Sequence, residues 1–168
     1  QRHILVSPSA ESIAIAQDRI REKRYIQASG LDVAPFLAIE YEADLNQDLS
    51  DYLPGILKIA RLGYDGKGQV IIKTETNLDE AWTLVGQTPA ILEQFIPFER
   101  EVSVIAARNA SGEIVTYDVA ENRHAHHILA ETTLPAKISA ETERAAKDAA
   151  SRIGTALNYV GVFADEFF

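Results

Sequence analysis

The sequence predicts an α+β fold in two lobes, and three observations carry the prediction. Residues 54–96 read as strand, strand, helix, strand, a compact lobe of their own. After residue 97 the texture changes to alternating apolar and polar residues, the pattern of antiparallel strands, followed by one long helix and a last strand. Length sets the scale: 168 residues with 46% hydrophobic content can fill one packed domain or two small lobes.

Each element has its own signal. Residues 9–29, "SAESIAIAQDRIREKRYIQAS", have helical spacing, with Ser9 as cap and Gly30 as stop. The expected apolar face is Ile13, Ala16, Ile20 and Tyr25. "VAPFLAI" at 33–39 fits a short strand, and 40–53 reads as acidic connecting chain. These make a first segment, 1–53. In the second, 54–96, "GILKIA" and "QVIIK" are strands around a glycine loop. "TNLDEAWTLVG" is a helix capped by Thr76 or Asn77, with Leu78, Ala81, Trp82 and Val85 inward and Gly86 as terminator. "AILEQFI" closes this lobe. In the third, 97–168, "EVSVIAA", "EIVTYDV" and "HILAETTL" are strands, with "NASGE" a turn. "SAETERAAKDAASRIGTAL" is a helix capped by Ser139, with Glu141 and Glu143 at the positive end of its dipole and a stripe of Ala145, Ala149, Ile153 and Leu157. "YVGVFADEFF" reads as a buried strand. A crevice between the two lobes is expected.

Composition excludes several functions. A formal charge of −9 is wrong for a nucleic-acid footprint, which needs a basic face. Without cysteine there are no disulfides or thiolate zinc sites, and a reducing cytoplasm fits. No apolar run reaches the length of a membrane span. The chain begins at Gln1, contains no methionine and ends on an apolar run, so a piece of a longer protein is expected.

The chemistry centres on "LKIARLGYDGKGQVIIK" (57–73). Glycines 63, 66 and 68 allow positive φ and let backbone N–H groups approach an anion. The loop lacks Walker spacing, and a glycine hairpin alone is an ordinary turn. Lys58 adds weight: a charge inside an apolar strand is costly unless it faces a cleft or a partner. Glu93 and Glu101, eight residues apart, bracket a linker between strands. They are either solvated strand ends or the place where a nucleotide crosses, its adenine on the linker backbone and its ribose on a carboxylate. Three clustered histidines, 124, 126 and 127, lack a fixed carboxylate or cysteine pattern and fit a polar strand or loop better than a metal centre.

In order and spacing, "QDRIREK", "ILKIARLGYDGKGQ", "ILEQFIPFEREVSV", "ENRHAHHILAETTLPAKIS" and "YVGVFADEFF" resemble the ATP-grasp carboxylase-type ligases. The nearest resemblance is to the 5-(carboxyamino)imidazole ribonucleotide synthases of purine biosynthesis, and it covers nearly the whole chain. It implies an ATP-grasp fold and an enzyme that uses ATP, Mg2+ and bicarbonate to carboxylate 5-aminoimidazole ribonucleotide through carboxyphosphate. It also implies a cytoplasmic homodimer at full length, with no nucleic-acid or membrane partner.

Carried over by position, Arg19 and Lys58 would be the cations on the ATP phosphates. Gly63, Tyr64, Asp65, Gly66, Lys67, Gly68 and Gln69 would form the flap over them. Tyr64 and Asp65 would reach the imidazole nucleotide, and Lys67 bicarbonate or phosphate. Glu93, Gln94, Phe95 and Ile96 resemble the adenine linker, Glu101 the ribose acceptor and His124 a nucleotide contact. Glu166 resembles the first magnesium carboxylate, on one strand face with Val162 and Ala164. Asp165 departs from the family, which has an apolar residue there. An N-terminal lobe and an Asn-Glu metal pair expected beyond Phe168 are not in the sequence, so this segment alone is expected to be inactive. Other ATP-grasp carboxylate ligases, formate-using or biotin-dependent, and a nucleotide-binding fragment without turnover are the alternatives.

Overall fold

The computed structural model describes residues 6–63, 67–74, 77–126 and 128–168. They form two compact units: residues 15–97, and residues 98–168 with the chain before residue 15.

The helix expected over 9–29 is two helices. α1 spans Ala10–Ala16 and α2 Arg19–Ala28. Asp18 separates them: its carboxylate accepts from the N–H groups of Ile20 and Arg21, both at 3.1 Å. An aspartate inside a periodic run can satisfy the orphan donors of a new first turn, and here it restarts the helix. The inward residues are therefore Ile15 and Ile20, while Ile13 is 37% exposed. Ser9 does cap α1, accepting from Ser12 N–H at 3.1 Å.

In the 15–97 unit, β1 (Phe36–Ile39), β2 (Gly55–Ile59), β3 (Gln69–Ile72) and β4 (Ala90–Gln94) make an antiparallel sheet in the order β1-β4-β2-β3. The sheet thus takes in a strand from the 1–53 segment. α3 (Leu78–Leu84) lays Leu78, Ala81 and Trp82 on Leu57, Ile72 and Leu92. Residues 40–53 do more than connect: two short 3-10 turns bring Leu45 and Leu49 into that same core. Burying such a side chain contributes roughly 1.5–3 kcal/mol.

In the 98–168 unit, β5 (Glu101–Arg108) pairs along one edge with β6 (Ile114–Thr116) and β7 (Ala120–Ala125), and along the other with β9 (Gly161–Phe167). β8 (Ile128–Thr133) continues outward from β7. α4 (Ala140–Ala156) covers one face of the sheet, packing Ala146 and Ala150 on Val102 and Val104. The expected stripe of Ala145, Ala149, Ile153 and Leu157 is rotated by one residue: Ala146, Ala150, Ile153 and Gly154 are the buried set. Alanines occur on both faces, so composition does not fix the rotation. Gly154 does, because a Cβ there would lie 2.4 Å from the Phe163 ring. Ser139 caps α4 as expected, accepting from Thr142 N–H at 3.0 Å.

Among the described residues β9 pairs with β5 alone, and one of its faces is exposed rather than buried on both sides as expected. Val162, Ala164 and Glu166 share an exposed face, while Phe163, Asp165 and Phe167 alternate onto the packed side. Asp165 pairs with Val104 there, a position an apolar residue would fill readily. Among the described residues, no helix is long and apolar enough to cross a membrane.

Candidate functional site

In the 15–97 unit the chemistry gathers around Glu93. This residue lies inside β4, not on a linker, and is 7% exposed. β2 runs beside it, pairing Ile56 with Glu93 and Lys58 with Ile91. Lys58 Nζ donates to Glu93 Oε2 at 2.7 Å, so the strand lysine has its partner. Lys23, from α2, places its Nζ 3.4 Å from Oε1. Burial pushes the Glu93 carboxyl up, but Lys58 and Lys23 outweigh it and hold the group below the ordinary glutamate value. Glu22, beside Lys23, is held above that value, chiefly by burial, with Arg19 and Lys23 pulling the other way.

Arg19 opens α2, its N–H donating to the Ala60 carbonyl at 2.9 Å. Its guanidinium reaches the start of the glycine loop: a Cβ on Gly63 would lie 3.4 Å from Arg19 Nη2. Gly68 closes the described part of the loop at φ +71°, where a Cβ would also sit 2.5 Å from Ile59 Cδ1. Two independent reasons therefore demand glycine at 68. Lys67 is exposed, and Gln69 pairs with Lys58 at the start of β3. Tyr64, Asp65, Gly66, His127 and the possible cap Thr76 lie outside the described residues.

The chain after Glu93 leaves the sheet quickly. Gln94 is the last residue of β4, and its N–H donates to the Pro35 carbonyl at 2.9 Å. Phe95, 47% exposed, donates its N–H to Pro54 at 2.8 Å, and Ile96 is half-buried.

The 98–168 unit holds a second group on the face of its sheet away from α4. Glu101 opens β5, His124 lies in β7 and Glu166 in β9, and one ligand-type atom of each falls within 4.8 Å of the others. Register explains the meeting: Glu101 pairs with Asn122, two residues before His124, and Ser103 pairs with Glu166. His124 Nδ1 is 3.1 Å from Glu101 Oε2. Burial raises the Glu101 carboxyl above its ordinary value, His124 opposes this and Glu166 reinforces it. Asn122 ties the face together, donating to Ser103 Oγ at 3.2 Å and accepting from Thr132 Oγ1 at 3.1 Å.

Of the positions singled out in the sequence, the structure joins Lys58 to Glu93, Arg19 to Gly63, and Glu101 to His124 and Glu166. Sequence reasoning missed Lys23, Ser103, Asn122 and Thr132. Lys23 had a legible signal, one helical turn after Arg19 on the same side of α2. The other three depend on strand register.

Residues 24–168 match the model of the ATP-grasp domain. The chain belongs to the ATP-grasp family. Arg19 and Lys23 precede the matched stretch but fall within the alignments to individual ATP-grasp relatives. N5-carboxyaminoimidazole ribonucleotide synthase of Brucella melitensis biotype 1 is 48% identical over 167 residues, covering 98% of this chain and 46% of that protein. The Bacillus subtilis synthase is 38% identical, covering 99% of this chain and 44% of its own length. The chain thus spans about half the length of the curated relatives it matches. Among solved structures, the N5-carboxyaminoimidazole ribonucleotide synthetase of Thermus thermophilus superposes with a TM-score of 0.88 at 40% identity, covering 96% of this chain and 44% of that one. The Staphylococcus aureus N5-carboxyaminoimidazole synthetase complexed with ADP gives 0.85 at 32% identity, covering 94% and 42%.

Proposed function

We propose that this chain is the nucleotide-handling part of an enzyme that carboxylates 5-aminoimidazole ribonucleotide with ATP and bicarbonate in purine biosynthesis. The observation that carries the reading is the 48% identity, across 98% of this chain, to a relative named N5-carboxyaminoimidazole ribonucleotide synthase. In this reading bicarbonate oxygen attacks the γ-phosphorus of ATP, the bond to the β-phosphate oxygen breaks, and ADP leaves. The exocyclic amine then attacks the carboxyl carbon of carboxyphosphate, phosphate departs with its oxygen, and the amine gives up a proton. Such transfers need charge neutralisation and alignment more than covalent catalysis by the protein.

The residues suit that division of labour. Lys58 and Arg19 supply positive charge for the phosphates, with Gly63 to Gln69 as the loop that approaches them. Gln94, Phe95 and Ile96 offer backbone to an adenine edge. Glu101, its carboxyl raised by burial, gains from a hydroxyl donor and suits a ribose. His124 orients Glu101 through their 3.1 Å contact. Tyr64, Asp65 and Lys67 serve the imidazole nucleotide and bicarbonate. Glu166 presents carboxylate oxygens, the donors Mg2+ prefers, and would hold that ion beside Glu101 and His124. When bound, Mg2+ neutralises charge on the β- and γ-phosphates. The enzyme works in the cytoplasm as a homodimer.

The test is phosphate release by the whole protein that carries this chain, supplied with ATP, bicarbonate and 5-aminoimidazole ribonucleotide, then with each omitted. Release should require all three. Equal release when biotin replaces 5-aminoimidazole ribonucleotide with bicarbonate kept, or when formate with a glycinamide ribonucleotide replaces the bicarbonate–aminoimidazole pair, would assign a different ATP-grasp ligase.

A further inference from the structure

We infer that Lys23 is a positioning residue for phosphate binding, because it balances Glu93 and so leaves Lys58 with positive charge to offer a nucleotide. The inference rests on the reading of Lys58 as a phosphate cation. It begins from a difficulty in that reading: Lys58 Nζ lies 2.7 Å from the buried Glu93 carboxylate. One lysine and one carboxylate at that distance make a neutral pair, and a neutral pair attracts a polyphosphate weakly.

Lys23 removes the difficulty. Its ammonium stands 3.4 Å from the other Glu93 oxygen, so each oxygen faces its own cation. Two ammonium groups and one carboxylate leave a net single positive charge. Arg19 and Glu22, on the same helix, add one charge of each sign and do not alter the total. The arrangement also hides the negative member best. Side-chain exposure is 9% for Glu93, against 15% for Lys23 and 23% for Lys58.

A purely structural role would not need this third member. One close cation already meets a buried carboxylate's need for a partner, and partly burying a second ammonium carries a desolvation cost. The surplus charge is what an approaching polyphosphate would meet. Lys23 acts through Lys58 and Glu93 and need not touch the nucleotide.

The experiment measures dissociation constants for adenosine, AMP, ADP and ATP in the whole protein, comparing wild type, Lys23→Met, Lys23→Arg and Lys58→Met at low and high salt. Lys23→Met should weaken ATP about tenfold, the scale of removing one charge a few ångströms from the phosphates in partly exposed protein. Adenosine should change by less than about twofold, since it carries no charge for that field to act on. Lys23→Arg should restore ATP binding, and salt should narrow the gap between wild type and Lys23→Met. Equal weakening of adenosine and ATP would mark Lys23 as structural and overturn the inference, as would an unchanged ATP affinity. If wild type binds ATP but Lys58→Met binds it equally well, the reading of Lys58 itself fails, and the inference with it. An effect of Lys58→Met without one of Lys23→Met rejects the inference alone.

Discussion

Glu93 and Glu101 stand eight residues apart, each on a β-strand, and their surroundings do opposite things to them. Glu93 is the more buried, yet two ammonium groups keep it charged. Glu101 is less buried, yet burial, reinforced by Glu166, outweighs the opposing His124 and disfavours its charged form. Burial opposes the charge of both carboxylates; two close ammonium groups overcome it at Glu93, and one imidazole does not at Glu101. One glutamate is satisfied by its own chain, whereas the other has something to gain from a ligand. That asymmetry suits Glu93 to holding cations in place and Glu101 to receiving a hydroxyl.

The largest effect should come from the cation side. Lys58→Ala should lower kcat/KM for ATP by roughly 2–4 kcal/mol, the scale of one charged stabiliser lost from a transition state. Steady-state kinetics of the whole protein measure it, and turnover like wild type would place Lys58 outside the site. Next comes the clamp itself. Glu93→Gln leaves Lys58 and Lys23 facing each other without their carboxylate and should cost about 2–3 kcal/mol of stability, the scale of a charged hydrogen bond broken in a buried place. Denaturant unfolding reads this directly.

On the other unit, Glu101→Gln should raise the KM for ATP severalfold, about 1 kcal/mol for one hydrogen bond, and leave that for bicarbonate nearly unchanged. Equal shifts in both would make Glu101 a structural carboxylate and erase the contrast with Glu93. The smallest effect is the pH dependence of the clamp. Because the Glu93 pKa is lowered by folding, its contribution to stability is present above the ordinary value of 4.5 and is lost as pH falls through the lower folded value. The stability gap between wild type and Glu93→Gln should therefore hold steady above pH 4.5 and shrink below it. A gap that widened in acid would reverse the assignment of Glu93.

Local chemistry was legible in the sequence where one residue type had one role. Ser139 capped α4 as read, and Gly86, at φ +78°, ended α3. Errors came where a residue type had two roles or where a distant contact decided. Asp18 could have been a solvated helix residue, and became a cap. Alanines on both sides of α4 left its rotation to Gly154 and the Phe163 ring. Leu45 and Leu49 were hidden in an acidic stretch without helical or strand period, and only the three-dimensional core shows their place. Within the site, Lys58 stood out as a charge in an apolar strand. Its partner did not, because nothing local links positions 23 and 58 to 93; sheet register and the seating of α2 do.

The position of the two glutamates within their sheets has a kinetic consequence. Glu93 rides on β4, which is flanked by β1 and β2, and Glu101 begins β5, which has β7 on one side and β9 on the other. Strands hydrogen-bonded along both edges are the last to release their amides when a protein breathes, while β3 and β8, at the margins of their sheets, open first. Glu93, paired with Phe36 on one side and Ile56 on the other, should thus sit in slower-exchanging backbone than Glu101, which pairs with Asn122 but lies one residue before the β9 register begins at Val102.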